Sequence, residues 1–269
     1  MPTSPYLVKP GSRVSLAKID PEDTCGWSDK ETAKDAIKKV RDRIEELQER
    51  LYAENKQGLL IVLQATDTGG KDGAIESVFE GINPQGVQVQ AFKQPSEEEL
   101  EHDFLWRIHK QTPGKGIITV FNRSHYEDVL VVRVKKLVPK AVWSARYDAI
   151  NNFERLLSEN GTRILKFFLH ISKDEQKERL QARLDDPAKI WKFNSGDLGD
   201  RALWDDYQLA FRDAIAKCST EVAPWYVIPA NHKWARNIAI AEIVASTLED
   251  MNPQFPAPEP DLVSIVIPD

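Results

Sequence analysis

An α/β architecture, a doubly wound parallel sheet with helices on both faces, best fits these 269 residues. Short apolar runs recur along the chain and amphipathic helical stretches separate them. The apolar runs are continuous rather than alternating, as they are in strands buried on both faces of a sheet. Composition agrees: 41% hydrophobic and 29% charged residues describe a globular chain, not a disordered one. A chain of this length buries roughly 70–75% of its unfolded surface, so it needs no disulfide or metal staple to fold.

Residues 1–27 are expected to be an N-terminal extension, 28–252 the main domain and 253–269 a proline-rich C-terminal arm. The domain opens with a helix over 28–54. Ala33, Ile37, Val40, Ile44, Leu47 and Leu51 recur at steps of four and three, and Ser28 with Glu31 has the spacing of a capping box. The run Leu59–Leu63 is the first strand. It ends in a glycine-containing turn, Thr66–Gly73, and Ala74–Glu80 continues as a helix. Further strands are predicted at Val87–Phe92, Gly116–Phe121, Arg163–Ile171 and Trp225–Pro229. Helices are predicted near Glu97–Lys110, Tyr126–Leu137, Tyr147–Ser158, Lys173–Leu184, Arg201–Lys217 and His232–Glu249. Residues 185–203 interrupt the rhythm with Pro187, Gly196 and Gly199 and contain no strand of their own. A connection of that length in a compact domain is commonly a lid. The arm carries Pro253, Pro256, Pro258 and Pro260 and ends in the apolar stretch Leu262–Ile267.

Several function classes fall away. The longest apolar run, Leu59–Leu63, is far short of a membrane span, and Met1–Arg13 lacks the apolar core of a secretory signal. Two cysteines, Cys25 and Cys218, make neither a disulfide framework nor a thiolate zinc site, so a reducing cytoplasm is the expected location. The net charge of −6 is unevenly spread. Residues 107–146 hold nine Lys/Arg against two acids, and 163–192 hold eight against five. Such a chain is poorly built to coat nucleic acid and could hold one polyanion in a groove, but solvated helix faces are the better explanation of the charge taken alone.

The strand–loop–helix at 59–80 carries the clearest chemistry. Residues 65–72, Ala-Thr-Asp-Thr-Gly-Gly-Lys-Asp, match the phosphate-loop pattern G-x-x-x-x-G-K-[ST] at Gly70-Lys71 and depart from it at Ala65 and Asp72. Amides of Gly69, Gly70, Lys71 and Asp72 at a helix N-terminus would ring an anion, and Lys71 would add a full charge. Asp67 and Asp72 could hold Mg²⁺, directly or through water.

A second constellation follows the strand ending at Phe121: Asn122-Arg-Ser-His-Tyr-Glu-Asp128. It occupies the crevice outside the strands' carboxyl ends, where ligands bind in open α/β sheets. Asn122 stands where phosphate-loop enzymes place a metal carboxylate, with Glu127 and Asp128 close behind. Arg123 either neutralises a moving phosphoryl group or pairs with Glu127. A third group joins Arg179 and Arg183, four apart on one helix face, to Lys189 and Lys192 in the lid. They read as a clamp over phosphates or as a solvated basic surface. The five histidines form no metal-ligand pattern and are read as structural.

Together Asp67-Thr-Gly-Gly-Lys-Asp-Gly73, Phe121-Asn-Arg-Ser-His-Tyr126 and Asp186-Pro-Ala-Lys-Ile-Trp-Lys192 resemble polyphosphate kinase family 2, in particular its class III members. The resemblance runs from about residue 30 to about residue 250. It includes His102-Asp-Phe-Leu-Trp-Arg107 and Pro224-Trp-Tyr-Val-Ile-Pro-Ala230. It implies a P-loop kinase fold, thymidylate- or adenylate-kinase-like, with a helical lid. The implied activity moves phosphoryl groups from inorganic polyphosphate to AMP and ADP with Mg²⁺ or Mn²⁺, without a covalent enzyme intermediate, in a homo-oligomer. By the same resemblance Asp67 is the metal-binding acid, Lys71 the phosphate lysine, and Arg123, Arg179 and Arg183 further catalytic cations. Gly69, Gly70, Asp72, Gly73, Lys189 and Lys192 fall to phosphate binding, and Asn122, Glu127 and Arg133 to the nucleotide. Two other readings compete: an NTP-dependent nucleoside monophosphate kinase, against which GKD in place of GK[ST] argues, and a non-catalytic polyanion- or nucleotide-binding module.

Overall fold

The computed structural model describes residues 4–260 together with Leu262, Ile265 and Ile267. Six strands form one sheet in the order β1-β6-β5-β2-β4-β3. Five are parallel: β2 (Gly58–Ala65), β3 (Val87–Ala91), β4 (Ile118–Asn122), β5 (Thr162–His170) and β6 (Trp225–Pro229). The two-residue β1 (Leu7–Val8) adds antiparallel to the β6 edge. Every residue of β2 is buried, so its side chains divide between two cores. Leu59, Ile61, Leu63 and Ala65 face one, with α1 (Lys30–Glu54) and α10 (Lys233–Met251); Leu60 and Val62 face the other, with α6 (Lys140–Glu159) and α9 (Trp204–Cys218). From β2 the chain goes to β3 and β4 on one side and then crosses to β5 on the other. The carboxyl end of β2 is therefore the topological switch point.

The doubly wound sheet matches the reading of the sequence, and the five long strands lie within two residues of their expected ends. The differences are local. Asp29, not Ser28, caps α1: its Oδ1 accepts from the amides of Glu31 and Thr32, both at 2.9 Å, and no Ser28–Glu31 box forms. The stretch 97–110 is two single turns, α3 (Glu97–Leu100) and α4 (Trp106–His109), because Asp103 Oδ1 accepts from the Leu105 amide and breaks the run. The stretch 126–137 is a 3₁₀ turn, His125–Asp128, then a four-residue α5 (Val131–Val134); β-branched valines make it a poor helix. The interruption at 185–203 holds a 3₁₀ turn, Ile190–Lys192, and a short α8 (Gly196–Ala202) between α7 (Lys173–Asp185) and α9.

The N-terminal residues pack on the domain. Beyond the β1 pairing, Leu16 is buried and Pro21 O accepts from the Asn231 amide at 3.1 Å. In the arm, Leu262, Ile265 and Ile267 are exposed; Val263, Ser264 and Val266 lie outside the described residues. Among the described residues, no helix is long and apolar enough to cross a membrane.

Candidate active site

The site begins where β2 ends. From Ala65 the chain turns through Thr68, at φ +61°, and Gly70, at φ +93°, into α2 (Lys71–Val78). Both glycines are required, for different reasons. A side chain at Gly69 would collide with the Ala65 Cβ, and Gly70 takes a left-handed conformation that L residues resist. Gly73 has ordinary room around it, so its backbone makes no such demand. No side chain caps α2, which leaves its first amides free for an anion; the Gly69 amide, expected among them, instead donates to the Thr66 carbonyl at 3.0 Å.

Lys71 Nζ sits 3.5 Å from the Ala65 carbonyl, at the mouth of this loop. Burial first, and then the nearby Arg123 charge, push its ammonium down to about 8, against the pull of Asp67, Glu127 and Asp72. A phosphate anion beside it reverses that pressure.

The second constellation meets the first across the sheet, because β4 lies beside β2 with Leu63 opposite Asn122. Asn122 Nδ2 donates to Asp72 Oδ1 at 2.6 Å. Arg123, held at φ +63° by its amide bond to the Leu63 carbonyl at 3.1 Å, donates from Nη2 to Asp67 Oδ1 at 2.9 Å. A left-handed arginine is a local strain of the kind found at functional sites. Burial opposes its charge, but Glu127, Asp67 and Asp197 outweigh that and hold the guanidinium above its ordinary range. Glu127 is oriented from below by buried Gln64. In the amide orientation that satisfies its neighbours, Gln64 donates to Glu127 Oε1 at 3.0 Å and accepts from the Ser124 hydroxyl at 3.2 Å.

Beside the loop opens a cavity of about 100 Å³. Asp67, Arg123, Glu127, Lys135 and Asp200 form its polar side, and Leu130, Val131, Trp204, Tyr207 and Phe211 its apolar wall. Asp200, on α8, ties the 185–203 segment to this wall: it pairs with Lys135 at 2.8 Å and accepts from the Tyr207 hydroxyl at 3.1 Å. That mixture, a few convergent polar groups against an apolar wall, is the lining of a small-ligand site.

The structure brings Asp67, Lys71, Asp72, Asn122, Arg123 and Glu127 together around one crevice. Other candidates sit elsewhere. Arg179 is buried and turned to the back of the loop, bonded to Glu175 at 2.5 Å and to the carbonyls of Thr68, Ala230 and Asn231 at 2.7–3.0 Å. It braces the loop rather than facing the cavity. Arg183 is the exception: it stands 3.7 Å from Asp197, the carboxylate whose charge also acts on Arg123, so it borders the crevice. Lys189 pairs with Asp186 at 2.6 Å, and Lys192 lies 5.1 Å from the exposed Trp191 ring; neither lines the cavity. Arg133 departs from its grouping with Asn122 and Glu127. It pairs with Asp213 at 2.8 Å, lies 4.7 Å from the Trp143 ring, and lines a separate cleft with Lys136 and Lys140. A short α5 followed by a turn points it outward.

Among the contributors that escaped sequence reasoning are Gln64, Trp204, Tyr207, Phe211 and Arg236. Gln64 reads as part of a strand, and the others as ordinary residues of helical stretches; only the fold brings them to the loop. His125 faces Glu154 at 3.2 Å, and burial, against the pull of Glu154, lowers its pKa.

A divalent metal fits this donor set. Among the described residues no cluster of three His, Cys, Asp or Glu forms a cage. Mg²⁺ is commonly held by one or two carboxylates, with phosphates and water completing its shell, and Asp67 offers a hard oxygen at the loop.

Residues 27–256 match the family model described as "Polyphosphate kinase 2 (PPK2)". The AMP/ADP-polyphosphate phosphotransferase of Meiothermus ruber is 56% identical over 263 residues, covering 97% of this chain and 98% of that protein. The ADP-polyphosphate phosphotransferase of Rhodopseudomonas palustris is 43% identical, covering 96% of this chain and 93% of that protein. The crystal structure of polyphosphate kinase 2 from Arthrobacter aurescens superposes with a TM-score of 0.93 at 47% identity, covering 97% of this chain and 95% of that one.

Proposed function

The chain belongs to the polyphosphate kinase 2 family, and from that premise we propose that it transfers the terminal phosphoryl group of inorganic polyphosphate to AMP and ADP, giving ADP and ATP. The observation that carries the reading is the adjacency of two half-sites. A phosphate loop with free amides and Lys71 opens directly onto a cavity with a partly apolar wall, and the Asp67–Arg123 pair stands between them. The donor chain's end lies on the loop and the nucleotide fills the cavity. An oxygen of the nucleotide's terminal phosphate attacks the end phosphorus of polyphosphate. The bond to the next phosphate breaks, and the chain leaves one unit shorter with the electron pair on its new terminal oxygen. Phosphate oxygens are nucleophilic at neutral pH, so no general base is required.

Catalysis then rests on position and charge. Lys71 and the loop amides hold the donor phosphates, and Arg123, released from Asp67 to the transferring group, balances charge as it moves. Glu127, held by Gln64, and Asn122 border the acceptor phosphate. Asp67, with Asp72 near it, would hold Mg²⁺ or Mn²⁺, which supplies Lewis-acid neutralisation of phosphate charge.

The direct test is AMP or ADP incubated with polyphosphate and Mg²⁺ without any NTP, with the nucleotides separated by chromatography. ADP and ATP are expected. Turnover only when ATP replaces polyphosphate would identify an NTP-dependent kinase, and binding without turnover a non-catalytic module.

Asn122→Asp tests the acceptor side. It would bring a second carboxylate to the position now 2.6 Å from Asp72. The ratio of AMP to ADP turnover is expected to fall about tenfold, the equivalent of one pK unit of like-charge repulsion. An unchanged ratio removes Asn122 from the acceptor site.

A further inference from the structure

The back of the phosphate loop rests on two arginines that converge on Gly70. A methyl group there would collide with Nη1 of Arg236, on α10, and would lie 3.4 Å from Nη1 of Arg179, on α7. Both side chains are buried, Arg236 with only 2% of its surface exposed. Their partners differ in kind. Arg179 has a carboxylate, Glu175, at 2.5 Å. Arg236 donates from Nε and Nη2 to the side-chain oxygen of Asn237 at 3.0 and 2.6 Å, and from Nη1 to the Gly69 carbonyl at 3.5 Å. Two guanidinium nitrogens thus share one acceptor, and that acceptor is a neutral amide where an ion pair would need a carboxylate. Among the described residues no carboxylate lies within ion-pair distance of Arg236.

Burying a guanidinium without a counter-charge destabilises a fold, and a like charge beside it adds repulsion. Burial, then Arg179, pushes Arg236 down to about 9, where it still carries its charge at neutral pH. The protein thus keeps an unbalanced cation behind a loop whose other face presents free amides and Lys71 to an anion.

We infer that Arg236 is a positioning residue whose charge is balanced by the phosphates of the polyanion bound on the opposite face of the loop, so that the loop is electrostatically complete only when loaded. Arg236 acts through the loop and does not touch substrate. The inference rests on the proposed function only for the identity of the anion as polyphosphate. Its physical consequence is a linkage: anion binding relieves a strain that the empty protein carries, and it therefore stabilises the protein more than surface contacts alone would.

Asn237→Asp tests this without removing the arginine. It is nearly isosteric and supplies the missing carboxylate to Arg236. The melting temperature of the empty protein is expected to rise. The stabilisation produced by tripolyphosphate, added without nucleotide or metal, should shrink by at least half. KM for polyphosphate should rise about tenfold, on the scale of one charge-assisted hydrogen bond, while KM for ADP stays within about twofold. Arg236→Lys, which keeps the charge, should retain most of the tripolyphosphate stabilisation, and Arg236→Met should lose it. A wild-type tripolyphosphate shift and a wild-type KM in Asn237→Asp would overturn the inference, as would equal losses in Arg236→Lys and Arg236→Met, which would mark a packing role. The two proposals fail separately. A wild-type protein that tripolyphosphate stabilises but that forms no ATP from polyphosphate refutes the proposed function alone.

Discussion

Lys71→Met is expected to lower polyphosphate-dependent ATP formation by at least ~10²-fold, the scale for removing one preorganised electrostatic group, while the protein stays folded. Lys71 makes one long bond, 3.5 Å to a backbone carbonyl, and its ammonium is pushed down to about 8 by burial and by Arg123. Its charge is therefore aimed at a ligand rather than at the fold. The sign of its contribution to stability follows. The folded-state value lies below the unfolded 10.5, so the unfolded chain binds more protons between pH 8 and 10.5 and stability rises through that window. Methionine should thus be neutral or mildly stabilising at pH 7. The same shift predicts that kcat/KM for polyphosphate falls as pH rises through about 8 in the wild-type enzyme, and that Lys71→Arg moves this limb to higher pH. Steady-state rates across pH 6.5–10, with a melting curve for each variant, check both statements. Activity of Lys71→Met within a few-fold of wild type would contradict the assignment of the loop.

Glu154→Gln is expected to destabilise the fold by about 3–5 kcal/mol, the range for breaking a buried ion pair by neutralising one partner. Glu154 and Lys166 are fully buried, with Oε2 of the glutamate 2.5 Å from Nζ of the lysine. The other carboxylate oxygen accepts from the Tyr126 hydroxyl at 2.8 Å and faces His125 Nε2 at 3.2 Å. Lys166 also donates to the Tyr126 hydroxyl at 2.7 Å and to the Cys218 carbonyl at 2.6 Å. Against burial, which favours the neutral acid, Lys166 and His125 hold Glu154 below the usual carboxylate range. A depressed acid contributes stability above its unfolded value that is lost as pH falls through its folded value, so the penalty of Glu154→Gln should narrow in acid. Urea denaturation at pH 7 and pH 4 measures this. A loss under ~1 kcal/mol at pH 7 would show that the pair contributes little, and Glu154→Gln with Lys166→Met should recover part of the loss by removing the orphaned charge. This network lies under the turn that carries Glu127 and follows Arg123, so it also ties core packing to the geometry of the crevice.

These particulars show what was legible in the amino-acid order. The unit β2–loop–α2 was legible because a wholly apolar strand, a Gly-Gly turn and a lysine at the helix start are contiguous, and each has a local physical cause. Asn122 and Arg123 were legible because a strand running straight into polar residues marks the crevice in a parallel sheet. The two-residue β1 was not, since no periodicity shows over two positions and its pairing depends on β6 more than two hundred residues away. The single turns of 97–110 and 126–137 look like longer helices in sequence, where side-chain caps such as Asp103 and Ser124 compete unseen. Trp204, Tyr207 and Phe211 have the helical spacing of core residues, and whether such a face meets packing or a cavity is decided by tertiary geometry. Arg133, grouped with Asn122 and Glu127 by the family resemblance, is turned by the backbone toward Asp213, a direction that no local pattern announces. Arg236 was invisible because its meaning lies in two absences, of a side chain at Gly70 and of a carboxylate at 237.

The proposed function turns on one step, the direct passage of a phosphoryl group from polyphosphate to a nucleotide in this crevice. Phosphorus-31 NMR of the protein with ADP, polyphosphate and Mg²⁺, free of any NTP, tests it most directly. Growth of the three ATP resonances is expected in step with shortening of the polyphosphate chains, with little orthophosphate released. Chains consumed to orthophosphate with ADP unchanged, or no change in either until an NTP is added, would contradict it.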